Sequence, residues 1–232
     1  CALGQDQSII FLVLDWAKAF NSVDPRCLAQ ALIRFGIPKS FADIVSAIYS
    51  NRSFFVADNN CASELHKQDF GISQGCPLSP FLFIIMMSVL MWDAKRDLKV
   101  LHDVDLNGNA ICHEIVYADD TFLIDAAGDH LQAYMECVAA RGKLYGLALN
   151  YSKVESMAVN CEHLFTDPEG NSIKNKSHLK YLGAQIAADG SIDSELGQKL
   201  GIAARDFKKL QQVWSHSSLS CRFKLQVYIA SA

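Results

Sequence analysis

The chain has 232 residues, half of them hydrophobic and a fifth charged, which is enough to bury a globular core. Its net charge of −4 means that composition alone does not indicate a nucleic-acid-binding protein. The longest apolar stretch, Phe81 to Trp92, has 12 residues whereas a membrane span needs about 20, so no membrane partner is expected. The eight cysteines lack zinc-ligand spacing. An apolar-rich chain of this size does not need a disulfide framework, which favours a reducing intracellular compartment.

The first element is an apolar run, Ile9–Leu14, that ends at Asp15. Because hydrophobic residues occupy both alternating positions, the run predicts a β-strand buried on both faces. A carboxylate at the end of a central strand is poorly placed for packing and well placed for a functional site. An Asp that only ends the strand and caps a loop is an equally good interpretation at this point.

Two helices are predicted next. Asp24 as N-cap and Pro25 at the first helical position begin one helix, and Gly36 ends it. A capping box at Ser40, with Asp43 in place of Glu, begins the other. The apolar side chains predicted to face inward from the second helix are Phe41, Ile44, Val45, Ile48 and Tyr49.

A hairpin and a shaped loop follow. Segments 53–58 and 64–70 predict the hairpin. The loop, Gly71–Pro80, contains two glycines and two prolines, and in it Gln74 and Gly75 present a side-chain amide and uncovered backbone to a ligand. An ordinary entry from a loop into a helix explains the same composition.

The helix predicted over 80–98 is capped by Ser79 and begins with Pro80. It is apolar on nearly all sides through Trp92, so it is expected to run through the centre of the domain.

The stretch Ile115–Ile124 has two apolar, β-prone arms on either side of Asp119 and Asp120. This pattern predicts a β-hairpin with two adjacent carboxylates at its tip. Side-by-side carboxylates repel and raise each other's pKa, so the pair favours a bound cation such as Mg²⁺. A solvated acidic turn is the alternative interpretation.

The last third of the chain predicts a helix from Asp129 to Gly146, a strand over 154–160 and a short strand over 179–186. From Ile192 the apolar spacing becomes helical. Between residues 199 and 224 there are six basic residues and one acid, which suits contact with a phosphate backbone and equally suits a solvated helix face.

Five stretches carry a resemblance when they are taken in order: Asp15–Phe20, Gly71–Pro80, Tyr117–Asp120, Gly146–Lys153 and Leu179–Gly183. They resemble the palm motifs of reverse transcriptases of the non-LTR (LINE-type) retrotransposon class, with group II intron enzymes as more distant relatives. The resemblance implies an α+β polymerase palm, in which an antiparallel sheet packs on helices, followed by a helical thumb-like segment. The implied division is a palm over 1–190, with the fingers largely missing, and the start of the thumb over 191–232.

The resemblance also implies roles for individual residues. Asp15 and Asp119 would bind two metal ions together with the third catalytic carboxylate, Asp120, and the backbone carbonyl of Trp16 would assist. Lys153 would neutralise or protonate the departing pyrophosphate. The residues implied to contact the incoming nucleotide are Phe20, which would exclude a 2′-hydroxyl, Gln74, Gly75 and Tyr117. Those implied to hold the primer end are Tyr181, Leu182 and Gly183, and those implied to contact the duplex backbone are Lys199, Lys208 and Lys209.

The implied activity is RNA-directed DNA synthesis from deoxynucleoside triphosphates with two Mg²⁺ ions, for which Mn²⁺ can substitute. The implied partners are an RNA template, a DNA primer and other domains of a parent polyprotein, in the nucleus or cytoplasm. Only fourteen residues precede Asp15, none of them Lys or Arg, so a fragment or truncated copy is expected. The alternatives are a catalytically inert copy or a maturase-like RNA-binding scaffold on the same fold. A two-metal nuclease is disfavoured because it gives no role to Phe20 or to the loop and primer-grip motifs.

Overall fold

The computed structural model describes residues 8–58, 61–102 and 113–231. The chain forms two compact units, Cys1–Lys176 and Ser177–Ala232. The palm and thumb ranges inferred from the sequence are a functional division and stay a prediction. Within the described ranges, no helix is both long enough and apolar enough to cross a membrane, and every cysteine is free.

The first unit contains nine strands and five helices within its described residues. In chain order they are β1 Ile9–Leu14, α1 Ala19–Ser22, α2 Pro25–Phe35, α3 Lys39–Tyr49, β2 Arg52–Phe54, β3 Ala57–Asp58, β4 Cys61–Ala62, β5 His66–Gln68, α4 Ser79–His102, β6 His113–Tyr117, β7 Asp120–Asp125, α5 Gly128–Leu144, β8 Glu155–Val159 and β9 Lys174–Asn175. The predicted α+β class is confirmed.

The central sheet has five strands in the order β6-β7-β1-β8-β9. Its first four strands are antiparallel, as predicted, and the two-residue edge strand β9 adds a parallel pairing to β8. The prediction that β1 is buried on both faces is wrong. Ile10, Leu12 and Leu14 are buried, whereas the alternate residues are only half-buried, and among them Phe11 stacks on Phe122 at 5.5 Å between ring centroids.

Helices α2, α4 and α5 supply most of the remaining core. The predicted limits of α2 are confirmed: the Asp24 carboxylate accepts a hydrogen bond from the Arg26 amide at 2.8 Å, and Gly36 ends the helix in the left-handed region with φ 102°. The prediction that Asp129 caps α5 is wrong. Asp129 lies inside the first turn, while Asp125 accepts from the amide of Ala127, the N-cap residue.

The predicted capping box of α3 is also wrong, because the helix begins earlier, at Lys39 after Pro38, and no side chain caps it. Ala42, Val45 and Tyr49 are its buried residues. The other predicted core residues, Phe41, Ile44 and Ile48, are exposed. The stretch therefore carries more apolar residues than its one packed face can cover.

Helix α4 is longer than predicted and is not buried all round. One side, including Phe83, Met86 and Leu90, is fully buried, whereas Phe81 and Trp92 are 66% and 60% exposed. The reason is that α2 and α5 pack against α4 and leave its remaining side uncovered. The hairpin predicted before the loop is present as two short antiparallel ladders, β2–β5 and β3–β4. Its turn is predicted around Asp58, Asn59 and Asn60, of which Asn59 and Asn60 lie outside the described residues.

The second unit contains β10 His178–Tyr181, β11 Ala184–Ala187, α6 Asp193–Lys209, α7 Gln211–Ser215 and α8 Cys221–Ser231. The single strand predicted over 179–186 is wrong, because β10 and β11 form an antiparallel hairpin. Leu182 and Gly183 make its turn with φ of 48° and 80°, the positive values that a two-residue hairpin turn needs. The predicted change to helices after Ile192 is confirmed.

Candidate active site

The three predicted carboxylates lie at one end of the central sheet. Leu14, the last residue of β1, pairs with Thr121 of β7, so Asp15 and Asp120 stand at the same end of neighbouring strands. Asp120 also pairs with Tyr117 across the β6–β7 hairpin, and Asp119 lies in its tight turn after Ala118, which has φ 53°. The antiparallel register therefore brings together residues that are more than 100 positions apart in the sequence.

The electrostatics of this edge favour a cation. The pKa of Asp120 is raised above its ordinary value, first because burial partly desolvates its carboxylate and then because the charges of Asp119 and Asp15 lie nearby. The Oδ2 atom of Asp15 is shielded from solvent and has no hydrogen-bond partner within the described ranges. Its one recorded ion pair is with Lys153, whose Nζ lies 3.6 Å away.

The donor set fits a hard divalent cation such as Mg²⁺, which prefers carboxylate oxygens. Two observations support this fit: Asp15 Oδ2 has no hydrogen bond from any described residue, and partial burial and neighbouring negative charges raise the pKa of Asp120. Across the part of the chain that the structure describes, no three His, Cys, Asp or Glu side chains converge closely enough to form a metal site as they stand. A metal site at this edge accordingly remains a prediction.

Buried contacts fix the backbone around Asp15. The indole Nε1 of Trp16 donates to Thr121 Oγ1 at 3.1 Å, which ties the residue after one carboxylate to the residue after another. The carbonyl of Asp15 accepts from the Asn150 amide at 2.8 Å, so the segment before Lys153 is held beside it. The sequence reasoning missed Thr121, because nothing in the local pattern shows what a buried hydroxyl will meet across a sheet.

Three of the four predicted nucleotide contacts line a cleft of about 480 Å³. Phe20, Gln74 and Gly75 line it together, although Phe20 lies more than fifty positions before the other two in the sequence. The Phe20 ring is half-buried and stacks on Phe83 at 4.7 Å between centroids and 13° between planes. Tyr117 is not among the residues that line this cleft, and it lies on β6 with 64% of its surface exposed.

The remaining predicted site residues belong to the second unit. Leu182 and Gly183 are exposed at the tip of its hairpin, and Tyr181 is the residue before them. The other three lie on α6, where Lys199 is paired with Glu195 and Lys209 with Asp206, each at 2.7 Å, and Lys208 is exposed. Part of the basic charge predicted for a nucleic-acid backbone is therefore balanced within the helix.

The fold is α+β, with carboxylates at the ends of neighbouring central strands. Residues 2–186 match the family described as reverse transcriptase (RNA-dependent DNA polymerase). The chain therefore belongs to the reverse transcriptase family, an RNA-directed DNA polymerase family, as the sequence motifs predict.

Known relatives agree with this assignment. The chain is 28% identical over 202 residues to the Pol polyprotein of the type-2 retrotransposable element R2DM of Drosophila melanogaster, covering 81% of this chain and 18% of the relative. It is 26% identical over 186 residues to the transposon TX1 149 kDa protein of Xenopus laevis, covering 78% and 14%. The chain is thus a reverse transcriptase domain related to non-LTR retrotransposon proteins, and it spans only 18% and 14% of the length of these two curated relatives.

Solved telomerase structures share the fold. The apo telomerase of Candida tropicalis matches with a TM-score of 0.57 at 13% identity, covering 82% of this chain and 33% of that one. The telomerase of Candida albicans, solved with a fragment of telomeric RNA, matches with a TM-score of 0.53 at 14% identity, covering 79% and 30%. At this level of identity the likeness supports the α+β architecture and nothing finer.

Proposed function

We propose that this chain carries the catalytic palm for RNA-templated DNA synthesis, with Asp15, Asp119 and Asp120 as the ligands of two Mg²⁺ ions. The observation behind the proposal is the grouping of these carboxylates at one sheet edge, where partial burial and then repulsion from Asp119 and Asp15 raise the pKa of Asp120. When bound, such ions activate a primer 3′-hydroxyl and stabilise the charge on the leaving pyrophosphate. Mn²⁺, also an oxygen-seeking divalent ion, can substitute.

The chain's own side chains account for selection and proton handling. Phe20, which lines the cleft, blocks a 2′-hydroxyl, while Gln74 and Gly75 contact the incoming deoxynucleotide. Lys153, close to Asp15, is placed to neutralise or protonate the departing pyrophosphate. The carbonyl of Trp16, the residue after Asp15, would assist at the same metal centre. Tyr117, opposite Asp120 in the hairpin, would contact the substrate next to the carboxylates.

The second unit supplies the nucleic-acid contacts in this proposal. The hairpin segment Tyr181–Gly183 holds the primer end, and the α6 lysines Lys199, Lys208 and Lys209 contact phosphates of the RNA template and DNA primer duplex. The parent would be a longer retrotransposon polyprotein that acts inside the cell, in the nucleus or cytoplasm, since the relatives are Pol proteins several times the length of this chain.

Primer extension tests the proposal. Asp119→Asn should lower Mg²⁺-dependent extension of a DNA primer on an RNA template by about a thousand-fold or more, because the metals are held less well. The assay needs a form of the chain that extends primers, and far-ultraviolet circular dichroism should show an unchanged fold. Asp43→Asn, which alters an exposed acid paired with Lys39 on α3, is the matched control and should leave the rate unchanged.

If the Asp119→Asn variant extends primers as fast as the parent, the metal assignment is wrong. If the parent binds template and primer but never extends, the non-catalytic RNA-binding scaffold is the better function.

A further inference from the structure

The loop that carries Gln74 and Gly75 is anchored on one side to the segment that follows the Asp15 strand. The Gly71 amide donates to the Val23 carbonyl at 2.7 Å, and the Ile72 amide donates to the Phe20 carbonyl at 2.8 Å. Gly71 has φ 87°, and a Cβ on it would lie 2.8 Å from the Asn21 carbonyl oxygen. Only glycine allows so close an approach, so the loop is tied directly to the backbone of the Phe20 segment.

The other side of the loop is held by Arg52, the first residue of β2. Its guanidinium donates to the Gly71 carbonyl at 2.5 Å through Nη2 and to Ser73 Oγ at 3.1 Å through Nη1. The guanidinium also lies over the Tyr49 ring, 4.5 Å from its centroid. Arg52 is thus fixed by an aromatic ring on one side and makes a two-pronged contact with the loop on the other.

The same Tyr49 reaches the far end of the loop. Its hydroxyl shares a hydrogen bond of 3.1 Å with Ser79 Oγ, in the first residue of α4. Ser73 and Ser79 both line the cleft, and Gln74 and Gly75 lie between them. Arg52 and Tyr49 therefore brace both ends of a segment whose middle is exposed and free to meet a ligand.

We propose that Arg52 is a positioning residue for the incoming nucleotide, which it serves by fixing the Gly71–Ser79 loop without touching the nucleotide itself. The inference rests on the proposed function, because it assigns that loop to nucleotide binding. A loop held in one conformation pays less conformational entropy when the nucleotide binds. Loss of the guanidinium should therefore weaken nucleotide binding and leave the grip on primer and template unchanged.

The test compares Arg52→Gln with Lys67→Gln. Lys67 lies on β5, which pairs with β2, and its ammonium binds Asp69 at 2.7 Å. Lys67→Gln therefore removes a positive charge from the same pair of strands and leaves the contacts of the cleft loop unchanged. In a form of the chain that carries a fingers region and extends primers, Arg52→Gln should raise the KM for deoxynucleotide about ten-fold. The KM for primer–template should not change, and Lys67→Gln should change neither. Arg52→Lys should be intermediate, because one ammonium cannot reproduce two directed contacts.

A second measurement needs no catalysis. In the full chain itself, Arg52→Gln should speed amide hydrogen exchange within 71–79 while exchange in β1 and β7 stays unchanged. Extension by the parent without any change of KM or exchange in Arg52→Gln would overturn the positioning role. Faster exchange throughout the unit with a lowered melting temperature would also overturn it and leave Arg52 as a general stabilising residue. A parent that never extends would count against the proposed function alone, and the exchange result would then decide the role of Arg52.

Discussion

At the scale of single residues, the candidate site concentrates negative charge where the fold offers little to balance it. Asp15, Asp119 and Asp120 share one edge, and Lys153 is the cation recorded beside them. A protein that keeps such a cluster loses stability to repulsion unless a cation is bound. The loss of stability and the proposed function thus have the same origin, because a divalent ion is bound by several carboxylate oxygens placed close together.

Phe20 provides a sharp test of the cleft. Phe20→Val should raise ribonucleotide incorporation relative to deoxynucleotide by roughly ten- to a hundred-fold, because a smaller side chain leaves space for a 2′-hydroxyl. The rate of deoxynucleotide incorporation should fall much less, since deoxyribose has no 2′-hydroxyl to occupy that space. Single-nucleotide extension with matched ribo- and deoxynucleotides measures the ratio.

Phe41→Val is the control for the Phe20 substitution, because Phe41 is an exposed aromatic residue on α3. An incorporation ratio that does not move in Phe20→Val would leave the residue as ordinary packing against Phe83.

At the scale of elements, the sequence predicted what local chemistry controls. Asp24 and Gly36 delimit α2 because a cap and a left-handed glycine act on their own backbone. The carboxylates could be placed together because strands that pair in antiparallel fashion must bring Asp15 and the β6–β7 tip to one edge. Such features can be predicted from neighbouring residues in the sequence and from the rule that antiparallel pairing brings the end of one strand beside the start of the next.

Tertiary packing decided the rest. No local signal shows which side of α4 lies open, so Trp92 was assigned to the core although it is mostly exposed. The sequence does not predict the β10–β11 turn, because Leu182 occupies a turn position with positive φ and leucine is not a usual residue there. Arg52 gains its meaning only from Gly71, Ser73 and Tyr49, which reach it through folding.

The β6–β7 hairpin should show a pH-dependent stability that comes from its tip. The pKa of Asp120 is raised in the folded chain, so its protonated form is favoured there and its contribution to stability is lost as pH rises above the ordinary value of 3.8. Without metal, Asp120→Asn should therefore raise the free energy of unfolding at neutral pH by about 0.5 kcal/mol, a small value because solvent screens the tip. The gain should vanish at pH 3.

Urea unfolding at pH 7 and pH 3 with a chelator present measures this difference, with Asp43→Asn as the control. A loss of stability at pH 7 in Asp120→Asn would mean that the carboxylate makes favourable contacts that outweigh the repulsion.

At the scale of the whole molecule, the charge distribution bears on what the chain can do alone. A triphosphate carries about four negative charges, and phosphoryl-transfer sites usually add preorganised cations to their metals. In the four motifs of the first unit the cations are Lys18, which lies exposed at φ 50°, and Lys153 beside Asp15. On α6, Lys199 and Lys209 are already paired with acids. The chain also spans at most 20% of the length of its curated relatives.

We therefore expect this chain by itself to be a poor polymerase or none, with weak binding to nucleic acid that depends steeply on salt and little on sequence. Fusion of an intact fingers region from a related element before Cys1 should raise primer extension by at least about a hundred-fold, because it adds cations and a template clamp. A fusion whose fingers have their Arg and Lys replaced by Gln is the matched control and should restore little of the rate. Equal extension by the chain and the intact fusion would show that the palm cations suffice.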